Sequence, residues 1–226
     1  MARSVVLNQT PRCDRCQFPH RWCICAGAET VDCPIDVSVL IHYRETYRPT
    51  STGRLLQRVL PRLRTHVFRP DLPLAPSALV DPARPVWILH PSGDRLPAAA
   101  PPGVQLLLLD GNWREASRMM HAIRPWGQLV NLPMEGESRY WLRGQQTAGT
   151  HSTVEALLYV LAALGATPAR DALRLQFELH VYAGLRARGD KTGAEQYLAT
   201  SPIRDAFGPL LSALQVRRPV VPAGGA

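Results

Sequence analysis

Leu106-Leu107-Leu108-Leu109-Asp110-Gly111-Asn112-Trp113, continued by Arg-Glu-Ala-Ser-Arg-Met-Met, is the stretch on which the fold turns. Four successive leucines read as a strand buried on both faces, Gly111 breaks the run, and Trp113 opens an amphipathic segment. Asp110 therefore stands where the carboxyl end of a strand meets a helix. In open α/β sheets that edge is where ligands bind. A carboxylate placed there either caps the helix or handles a proton or a ligand, and the stretch alone does not choose between them.

Outward from this point, Val37, Val39, Leu40 and Ile41 read as a first strand. Thr52 to Leu63 reads as a helix with Leu55, Leu56, Val59 and Leu60 on its apolar face, bent or ended by Pro61. A short strand is expected around Val67 and Phe68, then a Pro-rich surface loop over 70–85. Val86 to Leu89 and Val104 to Leu109 are two further buried strands, and Gln128 to Leu132 another. Residues 133–151 form a long polar loop, a feature that in a compact domain points to function or disorder. Ser152-Thr153-Val154-Glu155 has the form of a capping box ahead of a helix carrying Leu157, Leu158, Leu161 and Leu164, and a final helix is expected over 169–188.

Strands alternating with helices predict an α/β fold with a mostly parallel sheet flanked by helices. No GxGxxG follows the first strand, so a dinucleotide site has no support. The expected organisation is a cysteine-rich segment over 1–34, a catalytic domain over 35–215 and a flexible tail over 216–226.

The 226 residues carry a formal net charge of +8 with a sequence pI near 9.8, which favours an anionic partner, nucleic acid before acidic membrane. Lys191 is the only lysine among 26 basic residues, so the charge is nearly all guanidinium, suited to phosphate forks and to stacking on bases. A GC-rich coding bias would give the same arginine excess, though not the sign of the charge. No apolar run reaches the roughly 18 residues of a spanning helix and none at the N-terminus has signal-peptide length, so a cytoplasmic protein without a membrane partner is expected.

Cys13-x2-Cys16-x6-Cys23-x-Cys25 offers four thiolates within a short segment that has too little apolar content to fold without a staple. Structural zinc is the expected occupant, with a redox pair and an iron–sulfur site as the alternatives, and His20 able to replace one thiol. Cys33 is left over as a free buried thiol. The run His42-Tyr-Arg-Glu45-Thr-Tyr-Arg48-Pro-Thr-Ser-Thr-Gly53-Arg54 leads from the first strand into the first helix. Backbone amides near Thr52 and Gly53 there either take an anion or are simply capped by Thr50 or Ser51, with His42 and Glu45 solvated.

Asp110-Gly-Asn-Trp113, Arg48-Pro-Thr-Ser-Thr-Gly53, Tyr140-x-Leu-Arg143, Ser152-Thr-Val-Glu155-Ala156 and the cysteine cluster occur in one order, and in that order the chain resembles the DTW-domain family over roughly residues 13–185. The resemblance implies a tRNA-uridine aminocarboxypropyltransferase with a SPOUT-like, knotted sheet. It implies transfer of the 3-amino-3-carboxypropyl group of S-adenosylmethionine to N3 of a tRNA uridine, releasing methylthioadenosine. The family pattern is Asp-x-Thr-Trp; Asn112 in third place keeps hydrogen-bonding capacity and turn tolerance but lacks the hydroxyl and its methyl.

Uridine N3 is a weak acid and attacks only when its proton leaves, so a carboxylate is expected as general base, and Asp110 is the candidate. Trp113 is the second catalytic candidate, stacking on a base or filling the core, with core packing the expected role. Thr50, Ser51, Thr52, Gly53, Leu109, Ser152, Thr153 and Glu155 are the candidate S-adenosylmethionine contacts. Cys13, Cys16, Cys23 and Cys25 are the candidate zinc ligands, and Arg54, Arg114, Arg118, Arg139 and Arg143 the candidate RNA contacts. A SPOUT-class RNA methyltransferase and a non-catalytic zinc-containing RNA-binding protein are the rival readings. The oligomeric state stays open, with a monomer favoured.

Overall fold

The protein is described by a computed structural model covering residues 10–142 and 151–216. Five strands, β1 (Asp36–His42), β2 (Arg64–Phe68), β3 (Val86–Arg95), β4 (Gln105–Asp110) and β5 (Gln128–Asn131), form one parallel sheet in the order β2-β1-β4-β3-β5. Helix α1 (Thr52–Val59) links the first two strands and α2 (Trp113–Ile123) the last two in sequence. Five helices then follow: α3 (Thr153–Ala163), α4 (Thr167–Ala187), α5 (Lys191–Ala199), α6 (Ile203–Ala206) and α7 (Gly208–Gln215).

The leucine run is apolar on both sides because the sheet is covered on both faces. Leu106 and Leu108 join Val37, Val39, Ile41 and Trp87 in a core filled by α1, α3 and α4, whereas Leu107 joins Leu40, Ile88 and Phe68 against Met119 and Ile123 of α2. Alternate residues of one strand thus serve two cores, as the two-residue period of a strand requires. Burial of each such leucine stabilises the fold by about 2 kcal/mol relative to exposure.

Several boundaries differ from the sequence reading. The first helix stops at Val59, with Leu60 already extended, because Pro61 cannot continue it. Strand β3 runs on to Arg95 through a register break between Leu89 and Asp94, and Gly93 is required there: a Cβ would lie 2.5 Å from the amide nitrogen of Val130. The Pro-rich stretch over 70–85 is not wholly a surface loop, since Leu79 and Val80 plug the α2-side core. Helix α4 is not the last: α5, α6 and α7 follow it, and Tyr197, Ile203, Phe207 and Leu211 bury against the larger core. Their sequence is short-period and interrupted by Ser201-Pro202 and Gly208-Pro209, so no single long apolar stripe announces them.

The cysteine-rich segment packs on the same core as the sheet: Cys16, Phe18, Trp22 and Ile24 are buried among residues of α1 and α4. Cys33 is a buried free thiol, as expected, and burial pushes its thiol up. Among the described residues no helix is long and apolar enough to cross a membrane. Residues 1–9, the expected tail from 217 onward, and Arg143 lie outside the described residues.

Candidate functional site at the carboxyl edge of the sheet

Ile41 pairs with Asp110 in the parallel register of β1 and β4, so both side chains leave the sheet on the α1–α3 face. Asp110 is 1 % exposed. Its Oδ2 accepts a hydrogen bond from Ser51 Oγ at 2.9 Å, and its Oδ1 accepts from Thr153 Oγ1 at 2.7 Å and from Thr52 Oγ1 at 3.4 Å. Ser51 is the N-cap of α1 and Ser152 that of α3, so the carboxylate sits where two helix starts converge, the end of a helix that favours negative charge. Of the two alternatives at this helix start, the cap is the one observed: Ser51 caps α1 by accepting from the Arg54 amide, and Asp110 takes the hydroxyls beside it. Gly53 makes room for the Asp110 carboxylate, since a Cβ there would stand 2.7 Å from Asp110 Oδ2.

The residues expected to hold the cofactor are brought together, but their side chains are largely committed to one another. Ser51 Oγ also accepts from the Arg54 amide, the Thr50 carbonyl accepts from the Tyr140 hydroxyl at 2.5 Å, and the Leu109 carbonyl faces Thr153 Oγ1 at 3.4 Å. Glu155 completes the capping box by accepting from the Ser152 amide at 2.7 Å. It accepts as well from Ser138 Oγ and, at 2.6 Å, from the Arg139 amide, tying the segment after β5 to α3. The guanidinium of Arg139 turns inward, donating to Thr200 Oγ1 and Glu178 and lying 4.1 Å over the Tyr197 ring. It thus binds α4 and α5 and is not presented with the other candidate RNA contacts. Arg54 is half-buried on α1.

His42, one residue beyond Ile41, leaves β1 on the opposite face, under α2. There an open cleft of ≈ 610 Å³ is lined by His42, Arg44, Asn112, Trp113, Arg114, Glu115 and Arg118. Trp113 is 66 % exposed, which corrects the expectation that it fills the core; its ring stacks beside His90 at 6.2 Å. As the first residue of α2 it points outward, while Met119 and Ile123, farther along, meet the sheet. Asn112 caps α2 by accepting from the Glu115 amide at 3.0 Å, and Glu115 Oε2 accepts from the Asn112 amide at 2.9 Å. This capping box explains how Asn serves in place of Thr, since both are good N-caps.

His42 and Glu45 are buried, not solvated; Glu45 pairs with Arg48 at 2.7 Å. Glu115 Oε1 lies 3.4 Å from His42 Nδ1 and is a buried oxygen without a hydrogen-bond donor among the described residues. Burial holds the His42 imidazole below its ordinary value, against the opposing pull of the Glu115 carboxylate. The sequence reading named neither His42 nor Glu115 as a site residue. Asn112-x-x-Glu115 carried the same capping signal as Ser152-x-x-Glu155, but their meeting with His42 depends on the register of β1 against β4. A second cleft, ≈ 880 Å³, runs between the cysteine-rich segment and residues 45–50 and is edged by Arg12, Arg21, Arg48 and Arg188.

The sulfur atoms of Cys13, Cys16, Cys23 and Cys25 all lie within 4.8 Å of one another, with Cys13–Cys25 at 3.6 Å and Cys16–Cys23 at 3.8 Å. A tetrahedral zinc with bonds of about 2.3 Å spaces its sulfurs about 3.8 Å apart, so the set fits. Backbone amides, that of Cys16 first, pull the Cys13 thiol down to about 6. His20 is exposed and outside the cluster. The half-buried guanidinium of α1's Arg58 lies in the field of Cys16, Cys25 and Cys13 and hydrogen-bonds His180 of α4 at 3.1 Å. Four thiolates leave no open position, so the metal would hold structure and take no part in chemistry.

These features define an α/β protein with a basic, aromatic-bearing cleft at a sheet edge and four cysteines able to hold a metal ion. The DTW domain matches residues 10–184, and the chain belongs to the DTW-domain family, the domain of the tRNA-uridine aminocarboxypropyltransferases. No solved structure matches the chain. Membership points to a tRNA-modifying transferase.

Proposed function

We propose that this protein transfers the 3-amino-3-carboxypropyl group of S-adenosylmethionine to N3 of a uridine in tRNA, giving 3-(3-amino-3-carboxypropyl)uridine and methylthioadenosine. The observation that carries the reading is the placement, at the carboxyl edge of β4, of an exposed Trp113 beside Arg44, Arg114 and Arg118 in a chain with a DTW domain. An aromatic face among guanidinium groups suits a nucleotide, with the base on the ring and the phosphates at the arginines. The SPOUT-like, knotted arrangement is proposed with this reading, and the five-stranded parallel sheet is compatible with that arrangement.

The sulfonium makes methylthioadenosine a good leaving group, so the protein's task is to align N3 with the γ-carbon of the arm and not with the methyl. Asp110 serves that alignment as a positioning residue: it holds the starts of α1 and α3 together, and its oxygens already accept from three hydroxyls. Structural zinc at Cys13, Cys16, Cys23 and Cys25 braces the α1 side, and a cytoplasmic monomer acting on tRNA completes the reading.

Incubation of the purified protein with unmodified tRNA and S-adenosylmethionine, followed by mass spectrometry of nucleosides and small molecules, tests it. A uridine heavier by the aminocarboxypropyl group together with methylthioadenosine is expected. Methylated nucleoside with S-adenosylhomocysteine would place the protein among methyltransferases, and tight tRNA binding with no product would leave a non-catalytic RNA-binding protein.

A further inference from the structure

We propose that His42, oriented by the carboxylate of Glu115, is the group that removes the N3 proton of the uridine. The assignment rests on the transfer reading above and concerns the same cleft. His42 lines that cleft beside Trp113, whereas Asp110 leaves the sheet on the other face, beneath α1 and α3. Two proton acceptors line the Trp113 cleft, His42 and Glu115; Glu115 caps α2 through the Asn112 amide and lies beside Nδ1 of the ring, so His42 is taken as the base.

The orientation follows from an unanswered atom. Glu115 is 5 % exposed; its Oε2 is occupied by the Asn112 amide, but its Oε1 has no hydrogen-bond donor among the described residues and lies 3.4 Å from His42 Nδ1. The Arg44 amide also points at Nδ1, at 3.4 Å, and competes for it. Leaving a buried carboxylate oxygen without a donor costs more than lengthening one contact to a backbone amide, so the proton belongs on Nδ1. That tautomer leaves the Nε2 lone pair free, the same division of labour by which a carboxylate orients an imidazole base elsewhere. The charged groups acting on the ring are Glu115 and Arg118 from α2, with Arg44 and Arg48 from the loop after β1. Burial outweighs the pull of Glu115 and holds the imidazole below its ordinary value, which favours the neutral ring a base needs.

The step balances without another reactant. The N3–H proton passes to Nε2; the N3 electron pair forms the bond to the γ-carbon as the γ-carbon–sulfur pair returns to sulfur, releasing neutral methylthioadenosine. The imidazolium then gives its proton to solvent. Glu115 touches neither substrate and acts as a positioning residue that favours the transient imidazolium.

The test uses the full, metal-loaded chain, an unmodified tRNA pool and S-adenosylmethionine, with initial rates of both products measured across acid to alkaline pH. The wild-type rate is expected to be flat around neutrality and to fall only below the ordinary range of histidine. H42Q should lower the neutral rate at least ~100-fold. It should also lose the acid limb and recover as pH rises and N3 ionises unaided. Alkaline recovery is a readout that a structural defect would not give. E115Q retains an oxygen to cap α2; it should keep tRNA affinity, lower the rate about tenfold and move the acid limb to lower pH. E115Q carries the test if H42Q does not fold. An H42Q enzyme with the wild-type rate and acid limb, or with the same fractional loss at every pH, overturns the assignment. An acid limb that disappears instead in D110N gives the role to Asp110. Absence of both products from the wild type overturns the transfer reading itself, which product analysis separates from any change in profile.

Discussion

Asp110 and Trp113 stand three residues apart in one motif and meet opposite fates: the first is 1 % exposed and the second 66 %. Asp110 ends a strand facing α1 and α3, where Ser51, Thr52 and Thr153 donate to it, so that side of the sheet edge is a closed polar tie. Trp113 begins a helix on the other face and opens onto a basic cleft with His42, Arg114 and Arg118. On the proposed reading, one face of the edge maintains shape and the other receives the ligand. Proximity in sequence within a motif is therefore a poor guide to where a side chain points, because a turn of two residues redirects successive side chains to different faces.

The comparison breaks first, and with the largest effect, at the metal. The cysteine-rich segment shares its core with α1 and α4 on the Asp110 face alone. Structural zinc contributes binding free energy on the order of 10 kcal/mol to such segments. Chelation, or Cys16→Ser, should remove the bound zinc and lower the thermal midpoint sharply, as seen by metal analysis and calorimetry. An unchanged midpoint would separate the segment from that face.

Next comes the tie itself. Asp110→Ala leaves three hydroxyls without their acceptor and should cost about 3 kcal/mol of stability in denaturant unfolding, with Asp110→Asn milder. A loss under about 0.5 kcal/mol would mean that solvent already serves those hydroxyls.

Trp113→Ala should do the reverse, leaving stability within about 0.5 kcal/mol while weakening tRNA binding by about 1–3 kcal/mol. Equal effects on both quantities would return Trp113 to a packing role. The smallest expected effect sharpens the contrast further. Arg114→Gln and Arg118→Gln should each reduce the steepness of log affinity against log salt by about one in a tRNA titration. Arg139→Gln should instead reduce stability, since its guanidinium joins Glu178, Thr200 and Tyr197; a change in salt slope without destabilisation would reverse that assignment.

Much of the fold was legible in local pattern. The leucine run, the break at Gly111 and the Ser152–Glu155 box all occur where they were read, because periodicity and caps are local properties of the chain. The Asn112–Glu115 box carries the same spacing as Ser152–Glu155 and is equally legible in the sequence. Helices α5 to α7 were missed because short segments broken by prolines acquire their stability from packing on α4 and not from propensity. The cysteine spacing announced a metal-ligand set, and the sulfur positions agree with it.

By itself the sequence determined the class of fold, the four clustered thiols, the basic character and the edge at which Asp110 would lie, since each follows from composition, spacing or a two-residue or 3.6-residue period. Only the tertiary structure decided what those residues do there. It set Asp110 against three hydroxyls from two distant helix starts, turned Arg139 inward, left Trp113 in the open and brought Glu115 to His42. These outcomes depend on which strands are neighbours and in what register, and in a parallel sheet that pairing joins segments some 70 residues apart, beyond the reach of any local signal.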